Sequence, residues 1–131
     1  MGGARAVQRS VLKAFPDVDI CVGIVWIKMN PKDDLAAARK SLQDFKDKRI
    51  KHFYDSQQSS GKLIAEGLPL NAEVAWDIYL FYPKGVTWEN RPPKPSKWMH
   101  QMSDTDADSE YHLTGDNLVN GLYGAMEILI S

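Results

Sequence analysis

The chain has 131 residues, a length that suits one domain able to bury roughly two-thirds of its unfolded surface. Its 16 basic and 17 acidic residues leave a net charge of −1, so nothing draws it generally to nucleic acid or to an anionic membrane. The apolar runs are too short to span a bilayer, and the opening MGGARAVQRSVLKAF alternates apolar and basic residues without the hydrophobic block of a signal peptide. A single cysteine, Cys21, excludes an internal disulfide and suits a reducing compartment, so the expected location is cytoplasmic.

Residues 3–15 place Ala4, Val7, Val11, Ala14 and Phe15 at helical spacing, with Pro16 closing the pattern. Val18 to Met29 follows, and from Ile20 onward both alternating sets are largely apolar: Ile20, Val22, Ile24 and Trp26 against Cys21, Val25 and Ile27. That pattern predicts a strand buried on both faces, and Gly23 within it suggests the close approach of a packed helix. Asn30-Pro31 turns the chain, and Asp33 is placed to cap a helix whose apolar face is Leu35, Ala38, Leu42 and Phe45. A short strand follows over 49–54. Asp55 and Gln58, at capping-box spacing, open a further helix that Gly67 stops and Gly61 weakens.

The stretch 74–102 holds three of the four tryptophans and most of the prolines. Trp76, Ile78, Leu80 and Tyr82 fall on one strand face, Tyr79 and Phe81 on the other, again the pattern of an interior strand. Pro83-Lys84-Gly85 turns the chain, and Val86-Thr87-Trp88 reads as a short returning strand of a central hairpin. Residues 90–97 form a proline-rich surface loop, and 98–102 return as an edge strand. The acidic run 103–110 lacks large apolar residues and is expected to be mobile. Thr114 caps a last helix with Leu118, Leu122, Met126 and Leu129 along one face.

The order helix, buried strand, helix, strand, helix, hairpin, helix describes one mixed α/β domain. Its phrases GARAVQ, VGIVWIKM, HFYDSQQSSGK, AWDIYLFYPKGVTW and WMHQM resemble a family of thioredoxin-like bacterial proteins without well-established function. The resemblance implies a thioredoxin-like mixed sheet flanked by helices, with the first strand missing, spanning 1–131 as one domain. It also implies a Cys-x-x-Cys pair where the first strand meets the first helix, which would fall at or before Met1. No cysteine stands there, so the chain is expected not to be an oxidoreductase itself, although a longer form carrying upstream cysteines would be one. Glu73-Val74-Ala75 stands where such proteins place a proline ahead of the hairpin, a second departure. The missing strand would lie between 18–28 and 75–83. Those two strands are expected to run parallel but apart, roughly 9–10 Å from one another, each with an unpaired edge able to recruit a second copy as a homodimer.

The alternative reading is a non-catalytic module binding a small molecule or protein partner at the Trp98/His100 face, with Trp26 and Trp76 helping to floor a cleft; as core anchors, the same rings would have no such role. Cys21, embedded in an apolar strand, reads as inert packing. His52 and His112 stand alone, and with one cysteine no zinc spacing emerges. Asp104, Asp106 and Asp108 mimic the start of a calcium loop. Ser109 and Gly115 then replace its essential glycine and glutamate, so no metal is expected. No glycine spacing marks a phosphate site, and no cofactor is expected.

Overall fold

The computed structural model of the protein describes residues 2–29, 32, 34–68, 70–88, 91–102 and 111–131. Helix α1 (Gly2–Val7) runs directly into a π-helical turn (Gln8–Leu12), closed by the Lys13 N–H donating to the Gln8 carbonyl at 2.8 Å. Then come β1 (Val22–Ile27), α2 (Leu35–Asp44), β2 (Ile50–Asp55), α3 (Ser59–Gly67), β3 (Ile78–Phe81), β4 (Lys97–His100) and α4 (Gly115–Ile130). The architecture is mixed α/β. Among the described residues the strands form two separate two-stranded sheets: β1 and β2 pair in parallel, β3 and β4 antiparallel.

Local chemistry explains most of the boundaries. The Asp34 carboxylate accepts the Ala37 N–H at 2.8 Å and caps α2; Asp33, the expected cap, lies outside the described residues. Helix α3 starts at Ser59 rather than Asp55. Asp55 is the last residue of β2, and its carboxylate reaches across the turn to accept the N–H groups of Ser59 and Ser60 at 2.9 and 2.8 Å. Gln58 takes a left-handed conformation in that turn (φ 62°), and its amide donates to the Lys28 carbonyl at 2.9 Å. Gly61 is required where it stands. A Cβ there would lie 2.6 Å from Val74 Cγ1 and 2.7 Å from the Ala75 carbonyl, whose residue also donates its N–H to the Gly61 carbonyl.

The expected hairpin with 86–88 does not form. Pro83-Lys84-Gly85 turns the chain, but Val86 to Trp88 continue outward and β3 takes 97–100 as its partner. The Ser96 N–H and hydroxyl both donate to the Phe81 carbonyl, at 2.9 and 3.0 Å, and fix that pairing. The segment expected at an edge is therefore a buried strand: Trp98, Met99 and His100 are all inside. A bridge from His100 to His112, with the Leu113 N–H on the His100 carbonyl, covers its other side.

The β3–β4 pair is covered on both faces. Met99, Tyr79 and Phe81 look toward Val11 of the π-turn and toward Leu118, Leu122 and Met126 of α4. Trp98, Ile78 and Leu80 look the opposite way, toward Ile64, Ala65 and Leu68 at the end of α3. The β1–β2 pair differs from expectation. Its residues are half-buried or exposed by turns, Val25 is 41% and Phe53 54% exposed, and among the described residues a Cβ at Gly23 would meet Phe53 and no helix within 4 Å. An apolar face is buried only where another element lies over it; here Phe45, just after α2, lies against Trp26 on one face, while Val25 and Phe53 on the other meet solvent.

Candidate functional site

The residues expected to line a cleft do not converge. Trp98 stacks on Tyr111 (centroids 4.3 Å) and on His100 (5.9 Å), and His100 lies against His112 (5.2 Å). These two come together as foreseen, but inside: Trp98 is 7% and His100 0% exposed. Trp98 packs against Ile64, Ala65 and Leu68 at the end of α3. Trp26 belongs to the other sheet. Its indole N–H donates to His52 Nδ1 at 3.0 Å, which places the imidazole proton on Nε2, facing the Phe45 carbonyl at 3.2 Å. Trp76 is half-buried ahead of β3, and among the described residues no ring contact joins it or Trp26 to the Trp98 pair. Trp88 is half-exposed, edge-on to Tyr82.

Cys21 corrects a further expectation. It stands just before β1 and is exposed, so it is not packing in the core. The acidic run 103–110 lies outside the described residues. Among those described, no three histidine, cysteine or acidic side chains gather as a metal site, and no helix is long and apolar enough to cross a membrane.

Two features carry no local signal in the sequence. The first is Arg49, whose guanidinium donates to the carbonyls of Leu12 (2.9 Å), Phe15 (2.8 Å) and Val18 (3.0 Å) while pairing with both oxygens of Asp47. It ties the C-terminal end of the π-turn to the start of β2, and Asp47 is held below the usual carboxylate range by its hydrogen bonds from Arg49. The second is the pair Tyr79 and Gln101. The Gln101 amide donates to the Tyr79 hydroxyl at 2.8 Å, and burial pushes that phenol up to about 12 against the effect of the bond. Next to it Asp77 holds a left-handed φ of 45°, and its carbonyl accepts the Gln101 N–H. No local pattern announces either feature, because each joins residues far apart in the chain.

The unpaired edges expected on the strands at 18–28 and 75–83 are a matter of backbone. The Val22 and Lys28 N–H groups donate to the Arg49 and Asp55 carbonyls of the β2 segment, so the alternation of a strand turns the backbone of Gly23, Val25 and Ile27 away from β2. In β3 the Gln101 N–H on the Asp77 carbonyl sets Asp77, Tyr79 and Phe81 toward β4, and Ile78 and Leu80 away. Among the described residues, no backbone bond fills either outward edge. A Cβ at Gly61 of α3 would meet Ile27 at the end of β1 as well as Val74 and Ala75 ahead of β3.

In comparisons with known proteins, no family model, no curated protein and no solved structure matches the chain.

Proposed function

We propose that the chain is a thioredoxin-like domain without the redox motif in these residues, and that it does not exchange thiols and disulfides on its own. The observation that carries this reading is the pair of open edges on β1 and β3. A strand entering between them would join the parallel and antiparallel pairs into one mixed sheet, with α3 on one face and α1, the π-turn and α4 on the other. That is the arrangement the sequence resemblance implies. A strand edge is satisfied by another strand, so a second copy of the chain pairing there as a homodimer is the partner this reading favours.

The chemistry agrees with the lack of redox activity. Reducing a disulfide through a mixed disulfide needs a second thiol to release the product, and Cys21 is the only thiol in the sequence. The experiment is insulin reduction with dithiothreitol, followed by turbidity, for the protein and for Cys21→Ala. Equal, background rates are expected. Catalysis that Cys21→Ala abolishes would contradict the reading. The alternative, a binding module at the Trp98/His100 face, gains no support from side chains enclosed by α3 and Tyr111.

A further inference from the structure

A hollow of about 180 Å³ lies between the end of α3, β3 and the proline segment, lined by Ile64, Gly67, Leu68, Leu80, Tyr82 and residues 92–95. Its outer wall is a strap fixed at three points. Arg91 meets Glu66 of α3 at 3.7 Å, the Tyr82 hydroxyl donates to the Pro93 carbonyl at 3.0 Å, and Ser96 is bonded twice to Phe81. Prolines at 92, 93 and 95 fix their own backbone torsions, so the strap has little freedom to sink into the space beneath it. The inner wall is equally set, because Ile64 and Leu68 belong to the core under Trp98. At Gly67 a Cβ would meet nothing within 4 Å, so the helix leaves this part of the hollow empty.

Size and polarity define what fits. A cavity of about 150 Å³ lined by aliphatic and aromatic side chains accepts a benzene ring, so this space suits one ring and a short substituent. The described lining side chains are apolar apart from Lys94 and the Tyr82 hydroxyl, and that hydroxyl is already engaged with Pro93; the polar surface of the hollow is otherwise backbone. Lys94 is the one charged residue of the lining among those described, and it is exposed, where it can meet a carboxylate in water. We infer that the hollow is a binding site for a small aromatic carboxylate, its ring between Leu68, Leu80 and the proline strap and its carboxylate at Lys94. This site is independent of the strand edges and of the thioredoxin-like reading.

Phenylacetate and its neutral isostere phenylacetamide are the probes, followed by amide chemical-shift perturbation on the whole chain. Phenylacetate is expected to shift Gly67, Leu80, Tyr82 and Lys94 saturably, with a Kd on the order of 1 mM. Gly67→Leu, which fills the hollow, should abolish those shifts while leaving the rest of the spectrum unchanged. Lys94→Glu should weaken phenylacetate about threefold and leave phenylacetamide unaltered, the size expected of an exposed charge pair. No saturable shift up to roughly 10 mM, or undiminished binding in a folded Gly67→Leu protein, would overturn the site. If Gly67→Leu does not fold, the Lys94→Glu pair of titrations decides: equal losses for the acid and the amide, or none for either, would overturn the carboxylate assignment.

Discussion

The two sheets have similar sequences and different fates. Strand β1 reads Val-Gly-Ile-Val-Trp-Ile and β3 reads Ile-Tyr-Leu-Phe, each apolar on both faces. The β3–β4 pair lies between α3 on one side and the π-turn with α4 on the other, and β4 buries three of its four residues. The β1–β2 pair has Phe45 against Trp26 on one face and an open face on which Val25 and Phe53 meet solvent. Cohesion follows coverage. The β3–β4 sheet is held by packed apolar side chains; the β1–β2 sheet is held largely by polar ties, the Arg49 clamp and the Trp26–His52–Phe45 relay.

The largest expected effect is therefore in the covered sheet. Met99→Ala should lower unfolding free energy by about 2–5 kcal/mol, whereas Val25→Ala, on the open face, should change it by less than about 1 kcal/mol. Urea denaturation of both variants measures the contrast, and similar losses would remove it. Next in size is Arg49→Lys. A lysine cannot supply the fork that serves three carbonyls and Asp47 together, and each carbonyl left buried without a donor costs about 1–3 kcal/mol. The π-turn should loosen from β2, visible as faster amide exchange at Val22, whose N–H bonds the Arg49 carbonyl. A spectrum unchanged around Phe15 and Val22 would show that the clamp is incidental.

Smaller effects sharpen the comparison at single groups. Trp26→Phe removes the donor to His52 Nδ1 and should cost about 1 kcal/mol, with the imidazole nitrogen shifts showing loss of the fixed tautomer. Desolvation opposes ionisation of Asp55, but donors from Ser60 and Ser59 outweigh it and hold its pKa below the usual carboxylate range. A depressed folded value means stability that is complete above the ordinary carboxylate pKa and lost as pH falls through the folded one. Asp55→Asn should thus flatten the acid limb of a stability-versus-pH curve and fray α3; an unaltered limb would refute the cap. For Tyr79 the sign is opposite. Its phenol, raised to about 12, contributes stability below the ordinary tyrosine pKa that disappears as pH climbs toward 12. Tyr79→Phe should remove the latest-titrating phenol from the ultraviolet tyrosinate curve.

Much of this arrangement is legible in the residues. The apolar periodicity of 115–130 and of 35–45 gives both helices, and strands near 22–27, 50–55 and 78–81 follow from their alternation. Partners were harder to read. Val86-Thr87-Trp88 has strand composition, yet Ser96 fixes residues 97–100 as the mate of β3 instead, a choice made through contacts across the loop. Two-faced apolar character in β1 predicts burial, but burial depends on what lies over the strand, and no pattern within 22–27 carries that. For the candidate site, the spacing of Trp98 and His100 gives their adjacency but not their depth, and the structure buries both. Arg49 and Gln101 went unnoticed because their partners lie 31–37 and 22 residues away.

The most direct test of the central claim, two half-sheets with open edges on β1 and β3, is residue-resolved hydrogen exchange under native conditions. Amides facing a partner strand, Ile24 and Trp26 in β1 and Tyr79 in β3, should be protected. Those on the outward edges, Gly23, Val25 and Ile27 in β1 and Ile78 and Leu80 in β3, should exchange far faster in dilute monomer, and slow together wherever a second copy or another strand adds to the edge. Equal protection of inward and outward amides in a dilute monomer would contradict the account, because it would mean that both edges are already paired within the chain.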